Sequence, residues 1–447
     1  MDRVWTLKRW TGHMVCTHSS TRQTTCCSAS LWICFHSKYV TPILYLSLTV
    51  QEYVPFELWQ PADPRRTAII SGSLNSYRHE MLMPNSHGIP IQQQHGEIDD
   101  NVPAYNSRLL AQQLFLSGTN SSYNEVPGQN HWWDTVMTTP QLVDFYYKQT
   151  NNNEKVPRKL EDFEIVVGDP GDMGSKSGIK VLHLEDPGQY GRVQVQGHQI
   201  TTSNVLSIDF DPSIWKGQTV TMDGSDLFLD DVSTPTTVSQ SNGAWSIRTQ
   251  GHSAGGLPTR YGRQLGSMTA ILRTRGPFII RHQGSEVSTR LALQVSRNLH
   301  QYFQADTNII PSSSWDDAIE GSGNVITLIL QGNTPASLHS DFPLQPSSSS
   351  IAVRDSRGNL RVYGKDGTSV GAAFLSPLKG EQLELVIWGS DEDALARATR
   401  LVPMVTGVGQ PDFVILGEKA KVKGVDGALA MGFLDHEWKV TPSSVLS

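Results

Sequence analysis

The stretch from His95 to Asp134 constrains this chain more than any other. It opens His95-Gly96-Glu97-Ile98-Asp99-Asp100-Asn101-Val102-Pro103 and closes Pro127-Gly128-Gln129-Asn130-His131-Trp132-Trp133-Asp134. Between them, Leu109, Leu110, Gln113, Leu114 and Leu116 fall on one side of a helical pattern over 107–117. A polar-aromatic run from Ser121 to Val126 then reads as a strand. A carboxylate therefore sits on a turn after one strand, and an imidazole on a loop after the next. That is the order of acid and base in a Ser/Asp/His hydrolase built on an α/β sheet, where the serine precedes both. A nucleophile is expected upstream of Asp99, and no Gly-x-Ser-x-Gly stands there.

The 447 residues have room for two to four domains, at roughly 100–200 residues each. A hydrophobic content of 38% and a charged content of 18% belong to a globular chain. The net charge of −7 and pI of about 6.0 argue against nucleic acid or an anionic membrane as partner. Leu31–Val50 is apolar but carries His36, Lys38 and Pro42, which shortens it for a span of about 20 residues. Cys16, Cys26, Cys27 and Cys34 all precede residue 35, so they define neither a disulfide framework for the rest nor a compartment.

Taken in order, residues 1–50 stand apart, with every cysteine, a single glycine (Gly12) and no sustained period. They fit no assigned element; a divergent leader and a misassigned translation start are the two expectations, the second favoured by the abrupt return of globular texture at Gln51. Residues 51–150 have α/β texture. A short helix is expected after Pro64, a strand over 88–93, and a last helix opened by Thr139 and Pro140. Residues 151–258 change to short alternating strands separated by Gly, Pro and Asp, which predicts an antiparallel sandwich with 233–243 as a polar loop. Residues 259–447 return to α/β alternation. A helix stripe runs Val287, Leu291, Val295, Leu299, Phe303, and Ser390 is the expected cap of a later helix. Residues 346–350 read as a flexible insertion. The fold expected is multidomain α/β plus β.

On composition alone Asp99 is a turn residue and His131 a packed loop histidine; their pairing across one helix and one strand raises the catalytic reading. His95-Gly-x-x-Asp99-Asp-Asn-Val-Pro103, Ser107-Arg108 and Pro127-Gly-x-x-His131-Trp resemble the end of the catalytic domain of prolyl oligopeptidase-like serine peptidases. The likeness is to large members with extra C-terminal modules, and it covers residues 51–150 best. It implies a partial α/β-hydrolase segment followed by a β-sandwich module and a C-terminal α/β module. It further implies that Asp99 is the triad acid, His131 the base, and Asn101 a holder of the substrate's backbone carbonyl. In the family a Gly-x-Ser-x-Gly elbow precedes the part corresponding to Gln51. Here residues 1–50 occupy that place, and Ser19, Ser20, Ser28 and Ser30 lack the flanking glycines.

A Gly-x-Ser-x-Gly does occur at Gly251-His-Ser253-Ala-Gly255, but it follows His131 and lacks a hydrophobic strand feeding it or a helix leaving it. Ser253 is thus a weak candidate nucleophile. Gly171-Asp-Met-Gly174-Ser-Lys176-Ser177 breaks the Gly-Lys adjacency of a phosphate loop and reads as a turn. His79, His87 and His95 lack metal-binding spacing, so neither metal nor other cofactor is expected. The expectation is a serine-type peptidase that retains acid and base but lacks its nucleophile and is inactive as written. Two alternatives stand beside it. One is a carboxylic-ester hydrolase, since the same triad serves esters. The other is a non-catalytic binding or scaffold protein using the later modules. Peptide or ester is the expected substrate, with neither nucleic acid nor membrane as partner.

Overall fold

The computed structural model describes residues 63–151, 160–230, 234–248, 257–311, 323–331, 335, 337–403 and 409–447, with the backbone of four two-residue strands before them. The cysteines, the serines of residues 1–50 and Ser253 lie outside the described residues. The architecture is mixed α/β with further β layers.

Helix α1, Pro64–Gly72, starts where Asp63 accepts a hydrogen bond from the Arg65 N–H and proline occupies the first helical position. Its Ile69 joins the core of the far C-terminal sheet. Arg66 donates to the Ala428 carbonyl at 3.2 Å and to Ser447 Oγ at 2.7 Å. The chain then passes through short turns to strand β1, Ile91–Gly96, helix α2, Tyr105–Leu116, and strand β2, Ser121–Val126. β1 and β2 pair in parallel from Ile91–Ser121 to Gly96–Val126, with α2 as their crossover. The expected stripe on α2 is only half realised. Leu110 and Leu114 are buried, whereas Leu116 and Phe115 face outward at 73% and 74% exposure. Helix α3, Pro140–Asn151, ends this part and buries Leu142.

Two sheets follow and share one hydrophobic core. Their strands are β3 Asp162–Val167, β4 Ile179–Leu184, β5 Gly191–Gln196, β6 Gln199–Ser203, β7 Val205–Phe210, β8 Thr219–Met222, β9 Ser225–Phe228, β10 Thr236–Ser241 and β11 Ala244–Ile247. One sheet runs β9-β8-β6-β5-β3 and the other β11-β10-β7-β4. Inward residues alternate along β5, where Gly191, Val193 and Val195 are buried. Of the polar loop expected over 233–243, residues 236–243 are instead a strand and the turn of a hairpin. β10 pairs β7 and β11, turning at Asn242-Gly243, both of which have positive φ. Asn-Gly is the favoured two-residue hairpin turn, and it outweighs the Ser/Thr/Gln composition that suggested a loop.

The C-terminal part is a sheet ordered β13-β12-β14-β19-β18-β20-β21-β22. These are Phe278–His282 (β12), Thr307–Pro311 (β13), Val325–Leu330 (β14), Gly371–Pro377 (β18), Leu383–Gly389 (β19), Phe413–Leu416 (β20), Ala428–Gly432 (β21) and Val445–Leu446 (β22). The strands from β13 to β19 run parallel and the remainder antiparallel. Helix α4, Glu286–Phe303, is capped by Ser285 and buries Val295, Leu299 and Phe303. Helix α5, Glu392–Thr399, is capped by Asp391, whose carboxylate accepts from the Ala394 N–H at 2.8 Å. Ser390, the cap expected from the sequence, instead donates to Asp391 at 3.0 Å. The insertion expected at 346–350 is the turn of a small antiparallel sheet, β15 Leu344–Pro346, β16 Ile351–Arg354 and β17 Leu360–Tyr363. Ser347 closes that turn on the Ser350 carbonyl at 2.8 Å.

These parts are clasped by polar contacts. The Asn85 carboxamide donates to the Val166 carbonyl at 2.7 Å and accepts from the Val166 N–H at 2.8 Å, extending β3 like a further strand residue. Arg273 joins Asp169 and Asp172 of the β3–β4 loop to the Leu265 carbonyl. His183 in β4 bonds the Arg260 carbonyl at 2.7 Å.

Candidate acid–base site

β1 ends at Gly96, and the chain turns at once. The Asp99 N–H bonds the Gly96 carbonyl at 3.3 Å, and Asp99 Oδ1 accepts from the N–H groups of Asn101 at 3.0 Å and Val102 at 2.8 Å. This is an Asx turn, for which Asp-Asp-Asn-Val-Pro is suited. The loop after β2 is stitched onto it. Ile98 donates to the Gln129 carbonyl at 3.0 Å, Gly128 to Glu97 Oε2 at 2.9 Å, and Asp100 to the Asn130 side chain at 3.2 Å. Gly96 is required by this closeness, since a Cβ there would collide with the carbonyls of Gln129 and Asn130.

The outcome is that His131 Nδ1 lies 2.8 Å from Asp99 Oδ2 and 3.1 Å from Oδ1. Both side chains are shielded, at 8% and 4% exposure. Because a carboxylate faces Nδ1, that nitrogen carries the proton, and in the neutral ring Nε2 is the atom with the lone pair. Burial pushes the Asp99 carboxyl up. The Val102 N–H, His131 and the Asn101 N–H outweigh it together and hold the acid below its ordinary range. Among the described residues no hydroxyl hydrogen-bonds His131 Nε2. Trp132 stands edge-on to the imidazole at 5.3 Å between centroids and is 66% exposed. Asn101 is exposed on the acid's turn.

Sequence reasoning passed over His95, setting it beside His79 and His87 as an unpersuasive metal ligand. The structure buries its side chain completely and places Nε2 3.1 Å from Asp99 Oδ2, so two imidazoles attend one carboxylate. The four-residue step from His95 to Asp99 across a turn was the signal available. Among the described residues no group of three or more His, Cys, Asp or Glu side chains is arranged to hold a metal. The Gly171–Ser177 segment lies in the β3–β4 loop, where Lys176 donates to the carbonyls of Pro84 and Glu164 at 3.0 and 3.1 Å. Burial lowers that ammonium to about 8, against the opposing pull of Glu164.

The fold therefore belongs to the mixed α/β-plus-β class, with a histidine–carboxylate pair at the ends of two parallel strands. No family model matches the chain. It is similar to an uncharacterized secreted protein of Arthroderma benhamiae, 34% identical over 415 residues that take in 89% of this chain and 44% of that protein. The chain thus spans less than half the length of this relative. Among the described residues no helix is long and apolar enough to cross a membrane.

Proposed function

We propose that residues 91–151 are the acid- and base-bearing end of an α/β-hydrolase domain of the prolyl oligopeptidase-like kind, and that the reaction served is serine-type hydrolysis of a peptide bond. The observation that carries this reading is the pairing of Asp99 with His131 Nδ1 from the ends of β1 and β2. In the reaction, His131 Nε2 takes the proton of an attacking serine and returns it to the leaving amine. Asp99 holds the tautomer and stabilises the imidazolium. Asn101 is placed on the acid's turn, where it would meet a substrate carbonyl.

The described residues bring no hydroxyl to His131, and removing the serine of such a triad costs on the order of 10⁶-fold in kcat. The purified chain is therefore expected to be inert toward peptide substrates and toward a fluorophosphonate probe. Labelling at any serine, located by mass spectrometry, would overturn that expectation. Adding the part of the longer Arthroderma protein that this chain does not match should restore labelling, and His131→Ala should abolish it again. If no mixture becomes labelled, the hydrolase reading fails. The relative's description as secreted makes an extracellular location part of the same proposal.

A further inference from the structure

His95 occupies the strand position just before the turn, and its contacts exceed what a packed histidine needs. Its side chain is fully shielded. Nε2 lies 2.8 Å from the Val102 carbonyl and 3.1 Å from Asp99 Oδ2. Both neighbours are acceptors, so Nε2 carries a proton in either charge state of the ring. Nδ1 lies 2.7 Å from Ser107 Oγ, on the first turns of α2. The serine hydroxyl donates to the neutral ring or accepts from the cation.

Two consequences converge on Asp99. First, the Val102 carbonyl that Nε2–H grips belongs to the residue whose own N–H donates to Asp99 Oδ1. Second, the Nε2–H that donates to the Val102 carbonyl also lies beside Asp99, with Nε2 3.1 Å from Oδ2, the oxygen closest to His131. The other charged groups around this imidazole lie across the strand pair. Glu125 is its register partner in β2, bound by Arg108 of α2 and by the Tyr123 hydroxyl at 2.8 Å. Glu125 is thus already engaged.

We propose that His95 is a positioning residue of the acid–base pair, acting through Asp99 on His131, with Ser107 fixing its ring. The inference rests on the hydrolase reading of that pair. Removing the Nε2–H leaves a carboxylate with less of its charge neutralised. It becomes a better proton acceptor both in solution and toward the His131 Nδ1–H.

The test uses the full chain and two readouts. These are the acid titration of the Asp99 side-chain carbon and the chemical shift of the His131 Nδ1 proton, assigned by its loss in Asp99→Asn. In His95→Leu the Asp99 midpoint should rise by about half a unit to one unit, and the Nδ1 proton should move downfield. In His95→Gln, whose amide supplies an N–H, both should return most of the way. If His95→Leu moves neither readout while Asp99→Asn still removes the resonance, the positioning role is wrong and the pair stands. If His95→Leu and His95→Gln both erase the resonance, His95 merely holds the fold together and the inference is overturned. If Asp99→Asn changes no histidine resonance in the native protein, the acid–base reading itself falls.

Discussion

Arg260 is almost wholly buried, and all five of its N–H groups are engaged. Nε donates to the Gln264 carbonyl, Nη1 to Leu434 and Asp412 Oδ2, and Nη2 to Gly266 and Asp412 Oδ1, at 2.6–2.9 Å. The guanidinium also lies over Trp438, 4.9 Å from the ring centroid. Such a pair is weakly favourable as a whole but costly to break, because the partner left behind is a buried, unmatched charge. Asp412→Ala should lose about 3–5 kcal/mol in urea unfolding, and Arg260→Met with Asp412→Leu should lose less than that single change. A cost below about 1 kcal/mol for Asp412→Ala would show that water reaches the guanidinium. Asp99 makes a prediction of a different kind. Its folded-state pKa lies below the usual value of 3.8, so the unfolded chain binds the proton more tightly. The stability it contributes is complete above that usual value and drains away as pH falls through the lower, folded one. The gap between wild type and Asp99→Asn should therefore be widest near neutrality and should close below pH ~4. A gap constant from pH 3 to 7 would mean that Asp99 gains nothing from its partners.

At the scale of elements, β1 and β2 differ sharply from the parallel strands β12, β14 and β19. The latter lie inside a broad sheet covered by α4 and α5, and residues such as Ile280, Ile326 and Ile387 are fully buried. Among the described residues the former make a two-stranded sheet whose local cluster contains Leu110 and Leu114 as its buried members, with Met83 and Ile91 beside them. Ile98, Tyr105, Phe115, Leu116, Trp132, Met137, Val143 and Tyr147 are all exposed on this part. Opening free energy follows buried apolar contact, so amides of residues 91–126 should exchange with deuterium well before those of β12, β14 and β19. Equal or greater protection of β1 and β2 would contradict this. The same contrast explains what the sequence could reveal. Strands with a regular apolar period, such as β4, β7 and β8, are legible in the sequence. Missed strands owe their state to their partners rather than to their own residues. β10 is polar and becomes a strand by pairing with β7 and β11, and β18 lies between β19 and β20. The pairing of Asp99 with His131 is legible because turn chemistry and motif order both mark the two residues. His95 is not, because its meaning depends on the turn folding Val102 back over its ring.

At the scale of the molecule, the elements do not separate cleanly along the chain. α1 precedes the strand pair yet packs on the last sheet, with Asp63 bonding Asp426 Oδ1 at 2.9 Å and Arg66 reaching Ser447. Asn75 donates to the Gly188 carbonyl at 3.2 Å, and Asn85 pairs with Val166. The segment leading into the strand pair is therefore anchored on parts of the chain with much larger cores. The pair's register does not rest on Leu110 and Leu114 alone. A protease that cut the backbone between α1 and β1 would sever a covalent link without releasing either fragment, since the helix would stay seated on its distant sheet. The wound would show as a second band under denaturing conditions and as a single particle in native buffer.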